Sequence, residues 1–122
     1  MEKKENLILE KSFSFAICII ELFKYLKSNN EFIISKQLLR SGTSIGANIN
    51  EATAAQSKAD FIHKMSIASK EARETKYWLM LLNKSQLVEI NLDKYIKEID
   101  EIINIVTAIV KTSQQNNKQT GY

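Results

Sequence analysis

Apolar positions in this chain recur at helical spacing in four successive segments, and polar or turn-forming residues separate them. In the first segment, Phe13, Phe15, Ala16, Ile17, Ile19, Ile20, Leu22, Phe23 and Leu26 sweep roughly 220° at 100° per residue, far wider than one core-facing stripe requires. The pattern predicts a helix from about Leu7 or Ser12 to Ser28, after a polar MEKKEN opening that is expected to fray. A helix this apolar has to be covered on more than one side.

The second segment predicts a helix over residues 31–55, with Asn30 as its N-cap and Ile34, Leu38, Ile45, Ile49 and Ala52 on one face. Gly42 and Gly46 lie inside it. Each costs about 1 kcal/mol relative to alanine in a helix, so their presence predicts either a bend in the helix or, the favoured reading, a close approach by another backbone at this point. Ser57-Lys58-Ala59-Asp60 reads as a capped start for a third helix over 58–85, whose stripe is Phe61, Met65, Ala68, Ala72, Thr75, Leu79 and Leu82. Those alternating steps of four and three are the spacing of left-handed bundle packing. A link from Gln86 to Asn91 leads to a fourth helix over 92–112, capped by Asn91, with Leu92, Ile96, Ile99, Ile103, Val106 and Val110 inward. The polar tail 113–122 is expected to lie outside it and to be mobile. Short links between long helices favour antiparallel neighbours, so the fold class is all-α, an up-and-down antiparallel four-helix bundle in a single domain spanning 1–122.

Composition narrows the chemistry. The 122 residues contain no proline and only three glycines, in keeping with long helices. The longest apolar stretch, Phe13 to Leu26, is interrupted by Ser14, Glu21 and Lys24 and is shorter than the ~20 residues of a membrane span. No small-residue cleavage site follows it, and a lone cysteine, Cys18, excludes an intrachain disulfide, so a soluble, cytoplasmic protein is expected. A net charge of +3 permits nucleic-acid contact without demanding it.

Candidate catalytic groups do not assemble. Asp60 and His63 have the spacing of half a di-iron motif, but a second histidine is missing, and His63 reads as a surface residue. Cys18 sits in an apolar helix with no activating base nearby in sequence, which describes a packed thiol. Arg40-Ser41-Gly42-Thr43-Ser44-Ile45-Gly46 resembles a phosphate loop, yet no lysine follows its last glycine and no strand precedes it. A non-enzymatic protein without cofactor or metal is the expectation.

Three surface features remain. Arg40, Ser44, Asn48 and Glu51 form a polar strip beside the apolar face of the second helix, as expected of groups that bond to a neighbouring helix or across an interface. On the third helix Lys58, Lys70, Arg73, Lys76 and Lys84 make a basic edge, opposite an acidic edge of Asp60, Glu71 and Glu74. Such edges on neighbouring subunits could meet in a heterologous, ring-closing contact. Ile67, Tyr77, Trp78 and Leu81 project away from the core stripe and mark a candidate oligomer interface.

The segment from Phe13 to Val110 resembles the bacterial four-helix-bundle family that includes the 23S ribosomal RNA intervening-sequence proteins. The resemblance is carried by Arg40-x-x-x-Ser44-Ile45-x-x-Asn48-Ile49-x-Glu51 and by the stretches Phe61 to Ala68 and Lys70 to Leu79, which include Glu74. The chain departs from the family pattern at Asn50 and Ala52, where alanine and glycine are usual, and at Lys70 and Glu71, where a glycine-serine pair is frequent. The resemblance implies a bundle that assembles as a ring, commonly of five subunits, with no known enzymatic activity. A similar protein of diversity-generating retroelements engages a reverse transcriptase and nucleic acid and is more basic. The expected function is therefore a homo-oligomeric interaction or scaffold module; the alternative is an RNA- or DNA-binding accessory protein that uses the basic edge.

Overall fold

A computed structural model describes residues 2–119, with side chains described from 3 to 116. These residues form four helices, α1 (Glu2–Ser28), α2 (Ile34–Thr53), α3 (Lys58–Ser85) and α4 (Asp93–Gln119), and no strand among them. Contacts run α1–α2, α2–α3, α3–α4 and back from α4 to α1, closing a square. Pairings across the α2–α3 and α3–α4 seams show that these neighbours are antiparallel: Arg40 meets Glu74 while Glu51 meets Lys64, and Lys76 meets Asp100 while Arg73 meets Thr107.

The core is the stripe the periodicity marks. Phe15, Ile19, Leu22 and Leu26 of α1, Leu38, Ile45 and Ile49 of α2, and Met65, Leu79 and Leu82 of α3 are buried in one core cluster. On α4 the inner face is broader than one stripe, since Ile102 and Ile109 are buried alongside Ile99, Ile103 and Val106, whereas Ile96 and Val110 are half-buried.

Helix ends differ from expectation in three places. Within the MEKKEN segment residues 2–6 are helical and not frayed, because they are good helix formers and Ile8, just beyond them, is buried in the core; Met1 lies outside the described residues. Asn30 does not cap α2. It sits in the left-handed region at φ 65, with Glu31 N–H donating to the Leu26 carbonyl at 2.9 Å and Asn30 N–H to that of Lys27 at 3.0 Å, the Schellman closure of α1. Glu31 instead caps α2: its carboxylate accepts from the amides of Ile33, Ile34 and Ser35 at 3.0, 3.0 and 2.6 Å. At the far end α4 continues through the expected tail to Gln119, and Ser113 is buried one turn beyond Ile109; residues 120–122 lie outside the described part.

Two local expectations hold as stated. The Ser57 hydroxyl accepts from Asp60 N–H at 3.0 Å, and the Asn91 side-chain oxygen accepts from Asp93 N–H at 2.9 Å. The glycines face α1. A methyl group on Gly46 would lie 3.6 Å from the Ser12 carbonyl carbon, an ordinary contact with backbone, while one on Gly42 would lie 3.0 Å from two carbons of buried Ile19. The two sites therefore respond oppositely to alanine. In urea denaturation, Gly42→Ala should lose about 1 kcal/mol through overpacking against a β-branched neighbour, whereas Gly46→Ala should gain about 0.5 kcal/mol from helix propensity; equal effects would show that the Ile19 contact is not what holds Gly42.

Candidate functional site

The polar strip of α2 faces α3, and its centre is Arg40. One arm of its guanidinium donates to Glu71 at 3.1 Å and the other pairs closely with Glu74. Ser44 donates to Glu71 at 3.0 Å, and the Trp78 indole N–H donates to Glu74 at 3.0 Å. Glu71 is the most enclosed of these charged groups, with 12% of its side chain exposed against 51% for Arg40. Beneath the cluster, the buried hydroxyls of Thr75 and Ser41 pair at 2.9 Å across the same seam.

Asn48 and Glu51 do not join the cluster. Asn48 donates to the carbonyl of Ser44 in its own helix at 2.9 Å, and Glu51 pairs with Lys64 of α3 at 2.9 Å. That carboxylate raises the pKa of Lys64, chiefly through the hydrogen bond. Glu71 and Lys64 are the participants that sequence reasoning missed as partners. Glu71 and Glu74 share the flank that carries Trp78 four residues later, and that spacing was the available signal.

The edges of α3 are satisfied largely within the chain. Its acidic edge is engaged by Arg40; in the basic edge Lys76 pairs with Asp100 at 2.7 Å and Arg73 donates to Thr107 at 3.1 Å. Lys58, Lys70 and Lys84 are exposed. The expected apolar patch divides likewise: Trp78 packs partly on the core and Ile67 is half-buried, which leaves Tyr77 and Leu81 outward, with Tyr77 edge-on to Trp78 at 5.1 Å between ring centres. The larger exposed apolar surface is on α1, where Phe13, Ile17 and Ile20 are 65%, 48% and 38% exposed at successive four- and three-residue steps.

A groove of about 740 Å³ separates α1 from α4 and is lined by Leu7, Cys18, Lys94, Glu98 and the Lys11–Glu101 pair among others. Cys18 is half-buried there and His63 is exposed at the start of α3. Among the described residues no three histidine, cysteine or carboxylate side chains come together as metal ligands, and no helix is long and apolar enough to cross a membrane.

Such a chain is an all-helical bundle protein. It belongs to the 23S rRNA-intervening sequence protein family, whose sequence profile matches residues 4–108. Its fold is similar to the crystal structure of a protein of unknown function from the S23 ribosomal protein family of Bacteroides thetaiotaomicron VPI-5482, with 47% identity and a TM-score of 0.84 over 88% of this chain and 98% of that one. No curated protein matches the chain.

Removing the Arg40 cation leaves Glu71 enclosed beside a second carboxylate. Arg40→Met should lower unfolding stability by about 1–2 kcal/mol, and Arg40→Met with Glu71→Gln should recover most of it, the mark of a lost charge partner in place of lost packing. Across the α1–α4 seam, Lys11 bonds Glu101 at 2.7 Å and lowers the carboxyl pKa below its ordinary 4.5. That pair therefore stabilises the fold above about pH 4.5 and its contribution is lost as pH falls through the depressed value. Denaturation midpoints of wild type and Glu101→Gln should differ at neutral pH and converge in acid; a gap that persists in acid would sink this assignment.

Proposed function

We propose that the protein is a non-enzymatic, homo-oligomeric interaction or scaffold module acting in the cytoplasm, its bundles joined in a ring. The observation that carries this reading is the outer face of α1, where Phe13, Ile17 and Ile20 stand exposed on the side away from the core. An apolar strip of this kind costs free energy in water and is what an interface covers. Tyr77 and Leu81, exposed at the diagonal corner on α3, supply a second apolar surface, so α1 of one copy meeting α3 of the next would make a heterologous contact that closes into a ring. Five subunits is the ring size that the family resemblance favours. The intramolecular engagement of Glu71, Glu74 and Lys76 gives apolar contact, in place of charged edges, the main part in this assembly.

Size exclusion with light scattering tests it directly. The wild-type chain should elute as a multimer at micromolar concentration, and Ile17→Glu should convert it to a monomer of unchanged helical circular dichroism. A wild-type monomer overturns the reading.

A second reading, a nucleic-acid-binding accessory protein, is favoured by one observation: Lys58, Lys70 and Lys84 stand exposed on α3 without a partner among the described residues. Contact through such side chains is to phosphates and falls steeply with salt.

A further inference from the structure

The α3–α4 seam contains a small groove, about 230 Å³, lined by Ser66, Ser69 and Arg73 of α3 and by Thr107, Val110, Lys111 and Gln114 of α4. All of these side chains except Val110 carry a hydrogen-bond donor, and none is a carboxylate. The surroundings share that bias. From Ile102 to Gln119 α4 contains no aspartate or glutamate, and between Phe61 and Arg73 the single carboxylate of α3 is Glu71, which is turned to Arg40 and Ser44 on the opposite seam.

Two details make the groove more than a basic surface. Hydroxyls within helices usually bond back to a carbonyl three or four residues earlier, and Ser12, Ser28, Thr43, Thr53, Thr75 and Ser85 do so here. Ser66 and Ser69, like Ser14 and Thr112 elsewhere, make no such bond among the described residues, so their donors are available to an incoming acceptor. Arg73 is already held, its Nη2 donating to Thr107 Oγ1 at 3.1 Å, and this fixes a guanidinium at the groove before any ligand arrives. Lys111 is exposed beside it and has no acidic partner among the described residues.

We propose that this groove binds the phosphate groups of a single-stranded nucleic acid. The inference rests on the nucleic-acid reading above and gives it a site. Non-bridging phosphate oxygens would accept from the Ser66 and Ser69 hydroxyls and from Lys111, with the Arg73 charge alongside. A polymer fits better than a lone phosphate because the cations continue along α3 beyond the groove: Lys58 to Arg73 spans roughly 22 Å at 1.5 Å per residue, with Lys70 between them. A flexible strand can follow such a line of cations along one small bundle.

The test is fluorescence anisotropy of labelled oligouridylate and oligothymidylate titrated with the full chain at several salt concentrations. Lys111→Gln and the double variant Ser66→Ala with Ser69→Ala should each weaken binding by about three- to tenfold, and Lys111→Gln should reduce the salt slope by about one. Lys84→Gln, the same charge change on α3 outside the groove, should cost less than about twofold by the same logic of a distant phosphate contact. Circular dichroism checks that these surface variants stay folded. Equal losses for Lys84→Gln and Lys111→Gln with no effect of the serine pair overturn the groove while leaving the nucleic-acid reading in place. Failure of both oligonucleotides to bind at low salt overturns both, as does binding of inorganic phosphate alone, seen as amide shifts at Ser66 and Lys111 without any oligonucleotide response.

Discussion

Arg40 reaches from α2 to two carboxylates on successive turns of α3, and the geometry of that seam follows from it. A planar guanidinium can serve Glu71 and Glu74 together only if the helices are in one register, because a slide of a single turn would move one carboxylate out of reach. The same register brings the Thr75 hydroxyl onto Ser41 in the dry interior and lets Glu51 find Lys64 at the other end. Apolar packing alone would tolerate several registers, since leucine, isoleucine and methionine interdigitate in more than one way. Polar pairing selects among them. The energy of the exposed half of the cluster is small; its value lies in making the alternatives leave Glu71 enclosed without a cation.

On the other side of α2 the constraint is steric. Small residues at 42 and 46 let α1 settle close, with Ile19 and Ser12 filling the space a side chain would have taken. α1 is thus held on its inner face by the core and on one flank by α2. Its contact with α4 is looser, bridged by Lys11–Glu101 with a broad groove between them, and the Tyr25 hydroxyl donates at 3.1 Å to the Glu89 carbonyl in the link before α4. The loose seam and the exposed apolar strip therefore fall on the same helix. That is why the apolar arc of α1 looked too wide for one bundle: part of it packs inward and part has no partner in this chain.

Four helices, their order and most of the buried positions were legible in the sequence, because a period of three to four residues survives any detail of tertiary contact. Caps were legible where the signal is local, as at Ser57 and Asn91. They were not where two helices compete for one residue. Asn30 suits an N-cap and a left-handed C-terminal position equally well, and the choice was made by the Schellman bonds to Leu26 and Lys27 and by the reach of Glu31, none of which a propensity can weigh. The end of α4 was misread for a different reason: a run of glutamine, asparagine and lysine looks like a tail, yet it is compatible with a helix once Ser113 is anchored beneath it. Within the candidate site, Arg40, Ser44 and Glu74 could be picked out from the chain, but Glu71 could not be assigned as a partner before the α2–α3 register was known.

The surface that remains after the helices have satisfied one another is divided by place. Arg40 offsets one of the two negative charges of Glu71 and Glu74, so the α2–α3 cluster stays net negative, while the absence of carboxylates from the distal half of α4 leaves the α3–α4 seam positive. The apolar strip of α1 stands at the corner of the square diagonal to α3. Because α1 and α3 touch only through their neighbours, a contact made along the outer face of α1 leaves the groove at Ser66, Ser69 and Lys111 open to solvent. Tyr77 and Leu81 would be covered in a ring, but they point outward from α3, whereas Arg73 and Ser69 are turned toward α4. Self-association and phosphate binding thus draw on different side chains of one small bundle, and a ring would set several copies of the positive groove side by side, where attraction for a polyanion grows with each subunit added.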